Sequence, residues 1–119
     1  MAAPRPGKRV RGSSSGRPVM ALLDLLGRRW ALRILWELRE ESPQSFNALQ
    51  RACEKLSPSV LSQRLAELKE SGLVEQDRAG RYRPSKLAAD LEVPLLALDG
   101  FAKRWARRRR STAAPKLAG

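Results

Sequence analysis

Residues 57–85 read SPSVLSQRLAELKESGLVEQDRAGRYRPS, and this stretch decides the fold. Ser57-Pro58 is a strong helix start: the serine hydroxyl can cap the first free N–H groups, and proline brings a preset φ to the first helical position. Leu61, Leu65 and Leu68 recur at i, i+4 and i+7, which predicts a buried stripe on a helix running to about Glu70. Gly72 supplies a left-handed exit. The opposite face carries Ser59, Gln63, Ala66 and Glu70, flanked by Ser62 and Glu67. Beyond it, Leu73–Arg78 and Arg81–Ser85 read as two strands. Ala79-Gly80 is not a preferred two-residue hairpin pair, so a three-residue loop, Arg78-Ala79-Gly80, is expected, with Gly80 at positive φ.

Upstream, apolar residues fall at helical spacing. A short helix over about Val19–Leu26 is apolar on more than one side and is closed by Gly27. A second covers Trp30–Glu40, where Trp30, Ile34 and Leu38 recur at i, i+4 and i+8, and Ser42-Pro43 ends it. Ser45 caps a third, about Phe46–Glu54, with Phe46, Leu49 and Ala52 inward. Downstream of Lys86, a stripe of Leu87, Leu91, Leu95, Leu98, Phe101 or Ala102, and Trp105 predicts further helix. Pro94 is expected to kink it or to split it in two.

The whole is therefore expected to be mainly α with a small β-hairpin. At 119 residues the chain has the size of one domain with tails: a basic disordered arm over 1–17, a folded domain over 18–108 and a disordered tail over 109–119. Apolar runs are short and interrupted by charge, so no membrane partner is expected. No signal core follows the basic start, and cytoplasmic residence is the expectation. The formal charge of +12 lies in the ends. Residues 1–17 and 101–119 hold twelve Lys and Arg and no acid, whereas 18–100 holds twelve of each sign. A polyanion is the partner such ends attract.

Two helices joined by a short turn and followed by a hairpin make a winged helix-turn-helix, whose second helix can enter the major groove of double-stranded DNA while the hairpin touches the backbone. The N-terminal part of the outward face is short and polar, which allows close approach to base edges, and glutamine can make a bidentate contact to adenine. The contact residues expected are Ser57, Ser59, Val60, Ser62, Gln63 and Arg64 on helix 57–70, with Arg78, Arg81 and Arg83 on the wing, 78–83. Arg78, Arg81, Arg83 and Lys86 form a basic patch without an acid among them. The same patch also fits a solvated strand edge whose charges prevent pairing, and Asp77 beside it warns against counting every wing residue as a contact. The basic ends fit DNA, RNA or anionic lipid equally. A non-specific nucleoid-associated or RNA-binding protein driven by those ends is the competing reading.

Enzyme chemistry is not expected. The chain has no histidine, no partner for Cys53 and no phosphate-binding glycine loop, and it lacks a Cys/His ligand set, so neither a metal nor a cofactor is called for. Cys53 fits a small packing residue. No set of residues argues for a small-molecule effector.

These residues resemble the HxlR family, winged-helix bacterial regulators related to the MarR group. The resemblance covers about 18–106. It is carried by Leu22-Leu23-Asp24-Leu25-Leu26-Gly27-Arg28-Arg29-Trp30, Ile34-Leu35-Trp36-Glu37-Leu38, Phe46-Asn47-Ala48-Leu49-Gln50 and Leu56-Ser57-Pro58-Ser59-Val60-Leu61-Ser62-Gln63-Arg64-Leu65. Gly72-Leu73-Val74 and Trp105 add to it. It implies a homodimer built from the first and last helices, with Leu22, Leu91, Leu95, Leu98, Phe101 and Trp105 at the interface. It also implies a roughly palindromic operator and, most often, repression. Members often carry a sensing cysteine just before the proline that opens the first helix; here Arg17 precedes Pro18. The wing-to-helix segment also departs from the family pattern, with Pro84 removing a donor from the second strand.

Overall fold

The computed structural model describes residues 16–39 and 43–117, together with Pro6, and side chains as far as residue 110. The arm expected over 1–17 lies almost wholly outside the described residues. The chain divides into two compact units, Met1–Ala89 and Asp90–Gly119.

In the first unit, α1 spans Pro18–Leu26, α2 Ala31–Leu38, α3 Phe46–Ala52 and α4 Pro58–Glu70, followed by β1, Val74–Gln76, and β2, Tyr82–Pro84. Pro18 opens α1, and Gly27 closes it by donating to the Leu23 carbonyl at 2.8 Å. A Cβ on Gly27 would stand 2.8 Å from that same oxygen, so a larger residue would force the turn open. α2 starts one residue later than expected because Trp30 sits at φ 76, in the left-handed region. Its carbonyl nonetheless accepts the first helical bond, from the Ile34 N–H at 2.9 Å. Ser45 caps α3 by accepting from the Ala48 N–H at 3.0 Å. That helix stops at Ala52, short of the expected Glu54, because Glu54 and Lys55 take φ 57 and 63.

Ile34, Leu38, Leu49, Leu61, Leu65, Leu68 and Cys53 are the largest fully buried side chains. The expected stripe of α4 thus forms the floor of the core, and burying each such leucine stabilises by about 1.5–3 kcal/mol. α4 ends in a Schellman motif: Leu73 N–H donates to Leu68 O and Gly72 N–H to Lys69 O, both at 3.0 Å, with Gly72 at φ 84.

The hairpin is antiparallel, pairing Val74 with Pro84, Glu75 with Arg83 and Gln76 with Tyr82. Both strands are shorter than the pattern over 73–78 and 81–85 indicated. The three-residue loop is as expected: Gly80 N–H donates to Asp77 O at 2.9 Å, Asp77 N–H to Arg81 O at 2.8 Å, and Gly80 has φ 84. β2 has a second neighbour, for Gln44 exchanges both backbone bonds with Tyr82 at 2.7 and 2.8 Å. Ser85, buried, closes the hairpin's far end by donating from Oγ to Gly72 O at 2.6 Å and accepting from the Ala88 N–H at 3.1 Å.

A 3-10 turn, Ala88–Leu91, leads to α5, Glu92–Leu117. Two expectations are corrected here. Pro94 neither kinks nor splits α5, because it falls in the first turn, where the missing N–H would have had no helical partner. The helix also continues through 109–117, within the stretch over 109–119 expected to be a disordered tail; Arg107–Arg110 and Ala113-Ala114 are strong helix formers and nothing before Pro115 interrupts them. Leu91, the last residue of the 3-10 turn, is partly covered and Leu95 on α5 is buried, while Leu98, Phe101 and Trp105 are 54%, 57% and 60% exposed.

Candidate nucleic-acid interface

α3, the turn over 53–57 and α4 form a helix-turn-helix, and the hairpin follows it directly. The turn is held from within. Lys55 N–H donates to Gln50 O at 2.8 Å, and the Gln50 side-chain amide donates to Leu56 O at 2.9 Å. Buried Cys53 anchors it, and burial pushes its thiol above the ordinary range, with the Arg33 guanidinium pulling the other way. Two successive residues with positive φ each carry a cost of about 1–2 kcal/mol, which these bonds offset.

α4 presents Ser59, Ser62, Gln63, Ala66 and Glu70 to solvent, and Val60 is half-buried at the margin of that face. Ser57 caps the helix weakly, its Oγ standing 3.5 Å from the Val60 N–H and 3.0 Å from Ser59 Oγ. Both hydroxyls remain exposed. Two residues behave otherwise than their spacing indicated. Glu67, placed by periodicity on the flank of the outward face, is buried between Arg28 and Arg64, at 2.9 and 3.2 Å. Arg64, expected among the contact residues, has its guanidinium turned inward: Nε donates to Arg29 O at 2.7 Å, and only 17% of the side chain is exposed.

The wing's three arginines also differ from one another. Asp77 Oδ1 accepts from the N–H groups of Ala79 and Arg81, both at 2.9 Å, while Oδ2 stands 3.3 Å from Arg81 Nε. The Arg81 N–H is the chief reason the Asp77 carboxyl lies below its ordinary range. Arg83 pairs with Glu75 at 3.4 Å across the strands. Arg78 is exposed at the tip. Gln76 ties the wing to α4, accepting from Lys69 Nζ at 2.7 Å and donating to Gly80 O at 3.1 Å. Gln76, Gln44 and Ser85 went unrecognised in the sequence as organisers of the wing.

A helix-turn-helix whose second helix has an exposed, polar and uncharged start, followed by a basic hairpin, is the architecture of the winged-helix class of DNA-binding regulators. The HxlR-like helix-turn-helix family matches residues 25–109, and the chain belongs to that family of transcriptional regulators, which are not enzymes. An uncharacterized HTH-type transcriptional regulator of Bacillus subtilis, YdzF, is 32% identical over 74 residues, covering 62% of this chain and 67% of the relative. Among solved structures, a possible HxlR family transcriptional factor from Thermoplasma volcanium is similar with a TM-score of 0.64 and 27% identity, over 72% of this chain and 82% of that one. Quinone-bound YodB from B. subtilis shares the fold, with a TM-score of 0.66 and 23% identity over 72% of this chain and 94% of that one. No helix among the described residues is long and apolar enough to cross a membrane.

Proposed function

We propose that this regulator is a cytoplasmic homodimer that represses transcription by occupying a palindromic operator. The observation that carries the reading is the exposed, uncharged start of α4 set on a fully buried leucine stripe and flanked by the wing. Ser57, Ser59, Ser62 and Gln63, with Val60 at their margin, meet base edges and the nearest phosphates in the major groove; Arg78, and then Arg81 and Arg83, meet the backbone. Leu98, Phe101 and Trp105 on α5, with partly covered Leu22 and Leu91, supply the dimer contact, whereas Leu95, expected among them, is already buried within the single chain and has little surface left for a partner. Two-fold symmetry sets two α4 helices about 34–36 Å apart along the duplex.

Selection from random duplexes at near-physiological salt tests this. Enrichment of two related half-sites is expected, and tight binding without any motif refutes sequence-specific reading. In the selected duplex, Gln63→Ala lowers preference at particular base pairs, at a cost of about 1–3 kcal/mol, whereas Arg78→Ala weakens all duplexes alike and lowers the salt slope. A second reading, non-specific nucleic-acid binding, is favoured by exposed Arg107–Arg110 on α5. It predicts equal affinity for operator, random duplex and RNA.

A further inference from the structure

Glu67 is an acid on the reading helix, yet it is buried, only 4% exposed. Its two oxygens face two guanidiniums: Oε2 is 2.9 Å from Arg28 Nη1 and Oε1 is 3.2 Å from Arg64 Nη1. Arg28 also reaches back to Asp24 of α1 at 3.4 Å, and Arg64 Nε donates to the carbonyl of Arg29 at 2.7 Å. Glu67 thus ties α4 to the turn over 27–30 through Arg28, which in turn reaches α1. We propose that Glu67 is a positioning residue for DNA reading, which sets the roll of α4 about its own axis and keeps Arg64 out of contact with phosphate.

The physical case rests on what each kind of contact can specify. Leu61, Leu65 and Leu68 hold α4 onto the core, but apolar contact is non-directional and tolerates small rotations. Charge-assisted hydrogen bonds are short and directional. The one from Arg64 Nε to Arg29 O, which Glu67 orients by holding the Arg64 guanidinium, joins the Arg28–Glu67 ion pair in resisting rotation of α4 against the turn over 27–30. A roll of about 10° moves a side-chain tip at a radius of about 5–6 Å by roughly 1 Å. Hydrogen bonds to a base edge tolerate only a few tenths of an ångström, so such a roll misaligns Gln63. Buried ion pairs are poor sources of net stability, which leaves geometry as what this one contributes.

The proposal rests on α4 being the reading helix, so the wild-type chain is first taken through the random-duplex selection. A motif must appear; its absence removes that assignment and this proposal with it. Glu67→Gln is then compared with wild type on the selected duplex and on a random duplex. Because losing a negative charge raises affinity for both alike, the ratio between them is the readout. The ratio is expected to fall about tenfold, comparable to spoiling one base contact, with helix content by circular dichroism retained. An unchanged ratio overturns the proposal while leaving the motif, and so the DNA-reading assignment, intact. Should Glu67→Gln fail to fold, Arg64→Gln decides by the same ratio, and its salt slope is expected to equal that of wild type. A slope lowered by about one shows Arg64 on a phosphate and overturns the positioning role.

Discussion

Replacing Leu98 by glutamate addresses the pairing of two copies without touching the core, since 54% of Leu98 is open to solvent in the single chain. Full burial of a leucine is worth about 1.5–3 kcal/mol, so covering the open half in a dimer contributes about 0.8–1.6 kcal/mol per copy. A two-fold axis presents the substitution twice, making the loss about 1.6–3.2 kcal/mol, or roughly a 15- to 200-fold weaker dimer. Glutamate adds the cost of desolvating a carboxylate on an apolar face, so this figure is a lower bound. Sedimentation equilibrium over nanomolar to micromolar concentrations reads the shift directly, and circular dichroism checks that the helix survives. On the selected duplex the variant is expected to lose the second half-site before the first. Wild-type dimerisation by Leu98→Glu, or a wild-type chain that is monomeric at every concentration, refutes the placing of the interface on this stripe.

Ser85→Ala removes a hydroxyl that both donates to Gly72 O and accepts from Ala88 N–H; a loss of about 2 kcal/mol is expected, lowering Tm by roughly 8–16 °C, with Ser85→Thr restoring most of it. A melt unchanged from wild type shows the two bonds to be dispensable. Cys53 favours its neutral thiol in the fold, because burial raises its pKa. Its contribution is therefore complete below the unfolded value near 8.5 and is lost as pH rises through the folded one. At pH 7.5, iodoacetamide is expected to label it only after denaturation, and labelling at the rate of unfolded chain contradicts its placement. The Asp77 carboxyl is shifted the other way, so its support of the wing turn is present above the unfolded value of about 4 and fades as pH falls through the folded one. Amide protection at Arg81 is expected to disappear in acid before that of α4, and Asp77→Ala to reproduce the effect at pH 7; simultaneous loss at both places refutes a local role.

What was legible in the sequence was local. Ser57-Pro58, the leucines at 61, 65 and 68, Gly72 and Gly80 each act within a turn or two of their own position, so spacing alone located α4 and the loop. Glu67 was misplaced because its fate depends on Arg28, far away in the sequence, and periodicity speaks only for the helix that carries it. The same distance hid Arg64's inward turn toward Arg29. Gln44 forms a single pair of backbone bonds, too short to leave an alternating pattern. Pro94 misled because its effect depends on where the helix begins, and the 3-10 turn before Glu92 moved that start. The wing arginines looked alike in the sequence, yet Asp77 and Glu75 distinguish two of them from Arg78.

The exchange of bonds between Gln44 and Tyr82 bonds β2 on its second side at that one residue, and it fastens the wing to the segment that enters α3. Such an arm is not hinged. Swinging it toward a groove would break two backbone bonds of 2.7 and 2.8 Å along with the Ser85 latch. Under the proposed binding mode, a duplex that differs in curvature from the protein is then expected to do the bending. Base steps that never meet a side chain would enter the affinity through their stiffness, with flexible pyrimidine–purine steps beneath the wing favoured over rigid A-tracts.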